Sequence, residues 1–186
     1  MNTITYKTAQ KEDAQAILDY LDQIGKESDN LTFGEEGIGY TLEDEEKMLE
    51  TLPENPNATL ILAYDGDKVV SVANLSASKR ERTKHIAVLG ISVLKAYHRK
   101  GIGQTMMDKL ITFAKQAPDT EIIHLEVRSD NDPASALYTK MGFKHFAHIP
   151  KAMKIKGEYV SVEGMALELW NDVSNKLNIF AFNWNA

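Results

Sequence analysis

Residues 97–105 form a basic, glycine-containing loop that can bind a phosphate group. The loop reads Tyr97, His98, Arg99, Lys100, Gly101, Ile102, Gly103, Gln104 and Thr105. The first amides of a helix have no intrahelical partner and the helix dipole is positive there, so phosphate oxygens are stabilised. Gly101 and Gly103 leave the backbone accessible, while Arg99 and Lys100 add positive charge. We therefore expect this loop to hold a diphosphate.

Two other nucleotide-binding motifs do not fit the same loop. A P-loop needs a lysine directly after its last glycine, whereas Gly103 is followed by Gln104 and Thr105. A Rossmann fingerprint needs a third glycine at the position of Met106. Taken alone, the pair Gly101 and Gly103 is equally compatible with a tight helix entry that binds no ligand.

A second motif occupies residues 131–143. Its characteristic residues are Asn131, Ala134, Leu137, Tyr138, Gly142 and Phe143. Together with Gly101 and Gly103, it resembles the two motifs of the GNAT superfamily of acetyl-CoA-dependent N-acetyltransferases. The first family motif reads Gln/Arg-x-x-Gly-x-Gly/Ala, and the second reads approximately Asn-x-x-Ala-x-x-Leu-Tyr-x-x-x-Gly-Phe. His98 stands at the Gln/Arg position of the first motif, which leaves the role of this histidine open.

The resemblance implies that two parallel strands splay apart to admit the pantetheine arm of acetyl-CoA. An unpaired strand edge accepts an extended ligand much as it accepts a peptide. Gly90, just before the strand segment in question, would permit a local bulge. The cofactor-binding residues implied are Ile91, Ser92, Val93, His98, Arg99, Lys100, Gly101, Ile102, Gly103, Gln104, Thr105, Asn131, Ser135 and Tyr138.

Acetyl transfer to an amine requires three chemical groups. A base removes the proton of the ammonium, a donor stabilises the oxyanion, and an acid protonates the departing thiolate. By resemblance, Tyr138 is the acid, and a backbone N–H near Ile91 to Val93 is the oxyanion donor. Glu126 is the candidate base, on the same strand face as His124. A solvated or ion-paired carboxylate is the other interpretation of Glu126.

By resemblance, residues 28–40 and the last hairpin border the acceptor pocket. The first segment contains three glycines, which allow it to adapt, and adjacent carboxylates, which attract a cationic amine. The candidate acceptor-binding residues are Phe33, Glu35, Tyr40 and Tyr159. An exposed acidic loop is the alternative interpretation of residues 28–40.

We therefore expect an enzyme that acetylates the primary amine of a small molecule. One alternative is a protein N-terminal or lysine acetyltransferase, which needs an open groove in place of a closed pocket. Another is a non-catalytic acyl-CoA-binding module, which would keep the glycine loop without a productive acid. The presence of Tyr138 favours a catalyst over such a module.

The composition restricts the partners of the chain. The formal net charge of −6 argues against nucleic-acid binding and favours cationic partners. There is no cysteine and no His/Asp/Glu group with ligand spacing, so we expect no bound metal. No apolar run is long enough for a membrane span or a secretory signal, which predicts no membrane contact and, by default, a cytoplasmic location.

Hydrophobic periodicity places these motifs on alternating strands and helices. We predict strands at residues 4–7, 59–64, 68–75, 86–93, 122–127, 144–155 and 159–170, and helices at residues 14–24, 41–52, 101–115 and 132–141. A crossover helix makes strands 86–93 and 122–127 parallel neighbours. The predicted fold is α/β, a GNAT-like mixed, splayed sheet of six to seven strands flanked by about four helices.

The predicted domain organisation is one domain over residues 1–170 followed by a tail at 171–186. The tail carries Ile179, Phe180, Phe182 and Trp184 without a clear period. Such an apolar segment either covers its own sheet or packs on a partner, which makes a homodimer one of two interpretations.

Overall fold

The computed structural model describes residues 3–169, which build one seven-stranded mixed sheet with four α-helices. The strands are β1 (Ile4–Thr8), β2 (Thr59–Asp65), β3 (Lys68–Ala77), β4 (Ile86–Val93), β5 (Ile122–Arg128), β6 (Lys144–Ile155) and β7 (Glu158–Glu168). The helices are α1 (Ala14–Glu27), α2 (Leu42–Thr51), α3 (Ile102–Gln116) and α4 (Asp132–Lys140). The strand order is β1-β2-β3-β4-β5-β7-β6. This architecture confirms the predicted fold class.

The sheet opens between its two parallel strands. β4 and β5 are parallel, as predicted, but their pairing covers only Ile86 with Ile122, Ala87 with Ile123 and Val88 with His124. The five remaining residues of β4 stay paired with β3 on the other edge. Beyond Val88 the two strands therefore diverge, and the carboxyl-terminal half of β4 has no strand partner on the β5 side.

The helices lie on both faces of the sheet. Helix α3 packs on the face that carries Ala87, Leu89 and Leu125, together with Tyr138 of α4. Helices α1 and α2 pack on the opposite face, which is called the α1 face below. Because side chains alternate along a strand, the even-numbered residues of β4 and β5 point to the α1 face.

Local signals explain where the helices begin and end. Thr41 and Asp44 form a capping box at the start of α2, with the Asp44 amide donating to Thr41 Oγ1. Gly142 ends α4 with a φ of 95°, a conformation that favours glycine. Helix α1 continues to Glu27, three residues beyond the predicted end at residue 24.

The structure also corrects the prediction for Gly90 and adds elements that the sequence did not indicate. Pairing of β3 with β4 runs through Gly90 without a register shift, so the expected bulge is absent there. Three short 3-10 helices span Lys11–Asp13, Leu52–Glu54 and Lys95–Tyr97. Within residues 3–169, no helix is long and apolar enough to cross a membrane. The predicted tail and its dimer interpretation lie outside the described residues.

Candidate active site

The amides at the start of α3 form an open cluster of hydrogen-bond donors. The amides of residues 102–104 bond to no other described residue, and the first bond of this turn runs from the Thr105 amide to the Gly101 carbonyl, at 3.0 Å. Arg99 and Gly101 both have left-handed backbone, with φ of 59° and 79°. Successive amides around such residues make a concave anion site. This helix start can therefore hold phosphate oxygens.

Side chains fasten this loop to its surroundings. Nε2 of His98 lies 2.9 Å from the carbonyl oxygen of Val93, at the end of β4. The Tyr97 hydroxyl donates to the Asp65 carboxylate at 2.9 Å, and Nζ of Lys100 lies 4.7 Å from the centre of the Tyr97 ring. The loop is thus attached both to β4 and to the β2–β3 turn.

The edge of β4 that faces β5 offers free backbone groups. On the other edge, the Ser92 carbonyl accepts a hydrogen bond from Ser71 Oγ at 2.7 Å. Because backbone groups alternate between the two edges of a strand, those of Ile91 and Val93 point toward β5, where no ladder partner exists. Of these groups, the Val93 carbonyl already bonds to the His98 ring, and the others are free. The Ser92 side chain turns to the α1 face, where its Oγ accepts a hydrogen bond from the Tyr20 hydroxyl at 2.8 Å.

Tyr138 is a buried phenol on the α3 side of the gap. Its side chain is 8% exposed, and its ring lies 6.0 Å from that of Phe143. Burial raises the pKa of Tyr138 to about 12. Its hydroxyl makes no hydrogen bond to any residue that the structure describes. Tyr138 therefore stays protonated at neutral pH and keeps its proton available for donation.

The other predicted residues of α4 shape the helix start. Asn131 is the N-cap, and its Oδ1 accepts a hydrogen bond from the Ala134 amide at 3.3 Å. The Ser135 amide donates to the Asn131 carbonyl at 3.0 Å. At the other end, Nζ of Lys140 donates to Oε1 of Gln104 at 3.1 Å, which joins α4 to the start of α3.

The candidate base lies across the sheet, on the α1 face. Glu126 is exposed there and makes no ion pair or hydrogen bond with another described residue. Its strand neighbour His124 stacks on Phe146, with ring centroids 4.8 Å apart. In the next strand, Gly164 pairs with Glu126. The carboxylate is thus free to bind a cation, beside an aromatic surface.

The segment after α1 is tied to the end of β5 and to the β6–β7 turn. Arg128 donates to the Asp29 carbonyl at 2.8 Å and pairs with Asp130 at 2.6 Å. Lys156 reaches Asp29 Oδ2 at 2.8 Å, but both side chains are largely exposed, so this pair contributes little. The less exposed guanidinium of Arg128 therefore dominates the attachment.

The predicted acceptor residues occupy different environments. Phe33 is half-buried and packs against the core on the α1 face. Glu35 and Tyr40 are exposed in the same loop, where Glu36 Oε1 accepts a hydrogen bond from the Gly34 amide at 2.9 Å. Tyr159 is 60% exposed. Lys151 and Lys154 lie 5.4 and 5.3 Å from the Tyr159 ring centre.

Comparison with known proteins identifies the family. A sequence model of the Acetyltransferase (GNAT) family matches residues 26–143. This range includes residues 97–105, called the phosphate loop below, both parallel strands and α4. The chain belongs to the GNAT acetyltransferase family.

The relatives of this chain are named for different acetyl acceptors. The L-amino acid N-acetyltransferase AaaT of Escherichia coli is 31% identical over 63% of this chain and 72% of its own length. The N-alpha-acetyltransferase RimI of Mycobacterium tuberculosis is 31% identical over 55% of this chain, which spans 63% of RimI. An N-alpha-acetyltransferase of Saccharolobus solfataricus is 41% identical over 41% of this chain, which spans 42% of that relative.

Solved GNAT structures share the fold across most of the chain. An acetyltransferase of the family from Streptococcus pneumoniae superposes with a TM-score of 0.87 and 26% identity, over 89% of this chain and 99% of its own. The yncA structure from Salmonella typhimurium, determined with its cofactor acetyl-CoA, gives 0.80 at 17% identity over 93% and 98% of the two chains.

Several residues of this GNAT site were absent from the sequence predictions. Asn74 and Phe146 lie on the α1 face, which also carries Glu126, and Arg128 fastens the loop after α1. Gly164 gave a usable signal, because an interior strand glycine often marks a close approach. Within the described residues, no group of three or more His, Asp or Glu side chains could hold a metal ion.

Proposed function

We propose that the chain transfers an acetyl group from acetyl-CoA to the primary amine of a small molecule. The observation that carries this proposal is the position of two side chains on opposite faces of the sheet, at the gap between β4 and β5. The buried phenol of Tyr138 lies on the α3 side of the sheet, and the free carboxylate of Glu126 lies on the α1 face. An acid and a base on opposite faces suit a donor and an acceptor that enter from opposite sides.

The backbone around the gap fits an acyl-CoA. The free amides at residues 102–104 suit the diphosphate. A Cβ added at Gly103 would lie 3.6 Å from Leu137 and 3.9 Å from Val93, so this glycine sits against the strand end and α4. The backbone groups of Ile91 and the amide of Val93, which face the gap without a strand partner, suit the amide groups of the pantetheine arm. The bound donor supplies the thioester carbonyl.

The residues of the chain then perform three steps. Glu126 takes a proton from the acceptor ammonium, directly or through a water molecule, so that the neutral amine can attack. An N–H of Ile91 or Val93 donates to the oxygen that becomes negatively charged. Tyr138 gives its proton to the departing sulfur as negative charge develops there. This phenol is a weaker acid than the thiol that forms, so the transfer is unfavourable between separated groups. The thiolate therefore needs the donor at short range.

A small acceptor is favoured by the attachment between the loop after α1 and the end of β5. The hydrogen bond from Arg128 to the Asp29 carbonyl joins the two walls of the acceptor side. An amine at the end of a molecule can enter such a site, whereas a lysine within an extended chain needs a groove open at both ends. A protein N-terminus is the second candidate, because several relatives are named N-alpha-acetyltransferases.

An amine panel with a thiol-release readout tests this proposal. The chain contains no cysteine, so a thiol reagent reports only released CoA. We expect release with small primary amines such as L-amino acids or polyamines, and mass spectrometry should show the acetylated amine. Release with alanine-initiated peptides alone would support the second candidate. Binding of acetyl-CoA without release on any amine would refute catalysis and leave a binding module.

A further inference from the structure

Four residues form a row across the α1 face of the sheet. Asn74 of β3 pairs with Gly90 of β4, and Glu126 of β5 pairs with Gly164 of β7. Gly90 and Glu126 each stand two residues beyond the last pair of the β4–β5 ladder, Val88 with His124. The row therefore crosses the gap where the two parallel strands begin to diverge.

Gly90 lies between the two polar residues of the row and has no side chain to separate them. A Cβ added at Gly90 would lie 2.6 Å from Oδ1 of Asn74, so the amide of Asn74 lies over Gly90 and leans toward β5. Two strand spacings separate Asn74 from Glu126, about 10 Å between Cα atoms before the divergence is added. The side chains of Asn74 and Glu126 thus face each other across a glycine floor.

Neither polar side chain is satisfied within the described part of the chain. The amide of half-buried Asn74 makes no hydrogen bond to another described residue, and the same holds for the carboxylate of Glu126. Both side chains reach solvent, so their oxygen atoms are available to a ligand that carries N–H donors. An ammonium group supplies three N–H donors and matches two oxygen acceptors of this kind.

The far side of the row is apolar. The ring of Phe146 lies against Gly164, since a Cβ added to Gly164 would come within 2.9 Å of this ring. The Phe146 ring also stacks on His124. Phe146 is 57% exposed, and Val88 on the same face is 55% exposed. A hydrocarbon substituent next to the amine can pack on this surface while the nitrogen stays between the two oxygens.

We propose that Asn74 binds the acceptor amine opposite Glu126, an inference that rests on the proposed acetyltransferase function. The ammonium donates one N–H to Oδ1 of Asn74 and another toward Glu126. When Glu126 has taken one proton, the neutral amine keeps its hydrogen bond to Asn74. That bond orients the nitrogen so that its lone pair points into the gap. The favoured acceptor is a primary amine with an apolar group beside the amino carbon.

The test compares Asn74→Ala with the matched control Ser76→Ala, on L-methionine amide as the acceptor probe. Ser76 is exposed on the same face of the same strand, two residues away. We expect Asn74→Ala to lower kcat/KM for the probe about tenfold or more, because a hydrogen bond to a charged group is lost. The KM for acetyl-CoA and the thermal midpoint should stay at wild-type values, and Ser76→Ala should change none of these.

A second variant perturbs Asn74 without replacing it. Gly90→Ala places a methyl group where the amide of Asn74 lies, so the amide must rotate away, and we expect the same selective loss for the probe. Wild-type kcat/KM in both variants would overturn the inference, as would an equal rise in the KM for acetyl-CoA. If wild type acetylates no amine, the proposed function itself fails, and that outcome is visible before any variant is compared.

Discussion

The ring of His98 bonds to the main-chain carbonyl of Val93, with Nε2 and the oxygen 2.9 Å apart. A carbonyl oxygen only accepts, so Nε2 carries the proton. This contact answers the question that the sequence left open. His98 fastens the phosphate loop to the end of the strand whose backbone faces the gap.

Removing this contact should weaken acetyl-CoA binding selectively. In His98→Ala, the loop loses its bond to Val93, and we expect the KM for acetyl-CoA to rise about three- to tenfold, equivalent to about 1 kcal/mol for one hydrogen bond. His98→Gln keeps a side-chain N–H donor and should recover much of the affinity. Steady-state kinetics with saturating amine measures both. A change confined to kcat would contradict this role.

Replacing Tyr138 should slow the chemical step. We expect Tyr138→Phe to lower kcat by about 10² or more, because the thiolate loses its acid, while acetyl-CoA affinity stays nearly unchanged. The pKa of Tyr138, raised to about 12 by burial, lies above its ordinary value. The hydroxyl therefore keeps its proton, and its ionisation should cause no loss of kcat between about pH 7 and pH 10.

The control for Tyr138 is Tyr6→Phe, which removes a hydroxyl on β1, at the far edge of the sheet, that bonds to no other described residue. This variant should retain wild-type kcat. If Tyr138→Phe turns over at the wild-type rate, or if wild-type kcat falls with a midpoint near the ordinary tyrosine pKa of about 10, Tyr138 is not the acid.

Replacing Glu126 should remove the base. Glu126→Gln has the same shape but cannot take a proton, so we expect kcat/KM for the amine to fall about 10² at neutral pH. Because a more basic solution supplies neutral amine without help, the deficit should shrink as pH rises. Rate profiles from pH 6 to pH 10 give this comparison, with Glu158→Gln as an exposed control on β7. A deficit that is constant with pH would point to binding alone.

The stability of the fold in acid should depend on Asp13. Burial alone would raise the pKa of Asp13, but bonds from Lys7, the Gln10 amide and the Tyr64 hydroxyl outweigh burial and lower it. A lowered folded pKa means that the stabilisation is full above the unfolded value and is lost as pH falls through the folded pKa.

We therefore expect the free energy of unfolding, measured with urea, to fall between about pH 5 and pH 2, and to fall less in Asp13→Asn. Asp22→Asn is a suitable control, since Asp22 forms only an exposed helical pair with Lys26. Equal pH dependence of the wild type and Asp13→Asn would rule out this contribution.

Sequence patterns predicted the long elements because each carries its own signal. Helix α3 shows one apolar face, and the β2–β3 hairpin is marked by the turn at Asp65, Gly66 and Asp67. The missed 3-10 helices are three residues long, too short for a periodic pattern. Gly90 was assigned a bulge because glycine permits one, whereas its actual reason is the side chain of Asn74 on the next strand.

The candidate site was predictable only where its residues follow one another in the chain. The phosphate loop and the α4 motif are contiguous, so spacing sufficed. The row of Asn74, Gly90, Glu126 and Gly164 comes from four strands, and only the sheet register brings these residues together. The bond from Arg128 to Asp29 joins positions 99 residues apart, and neither residue type signals it.

The central claim is that the start of α3 binds the diphosphate of acetyl-CoA through main-chain amides. Calorimetry of acetyl-CoA with wild type and Gly103→Asp tests it most directly. An aspartate in the first turn favours the helix, and a Cβ at this position makes only ordinary contacts, so the variant should fold. We predict a dissociation constant below about 1 mM for wild type and no measurable binding for Gly103→Asp. Absence of binding by wild type, or equal affinity of the two proteins, would contradict the claim.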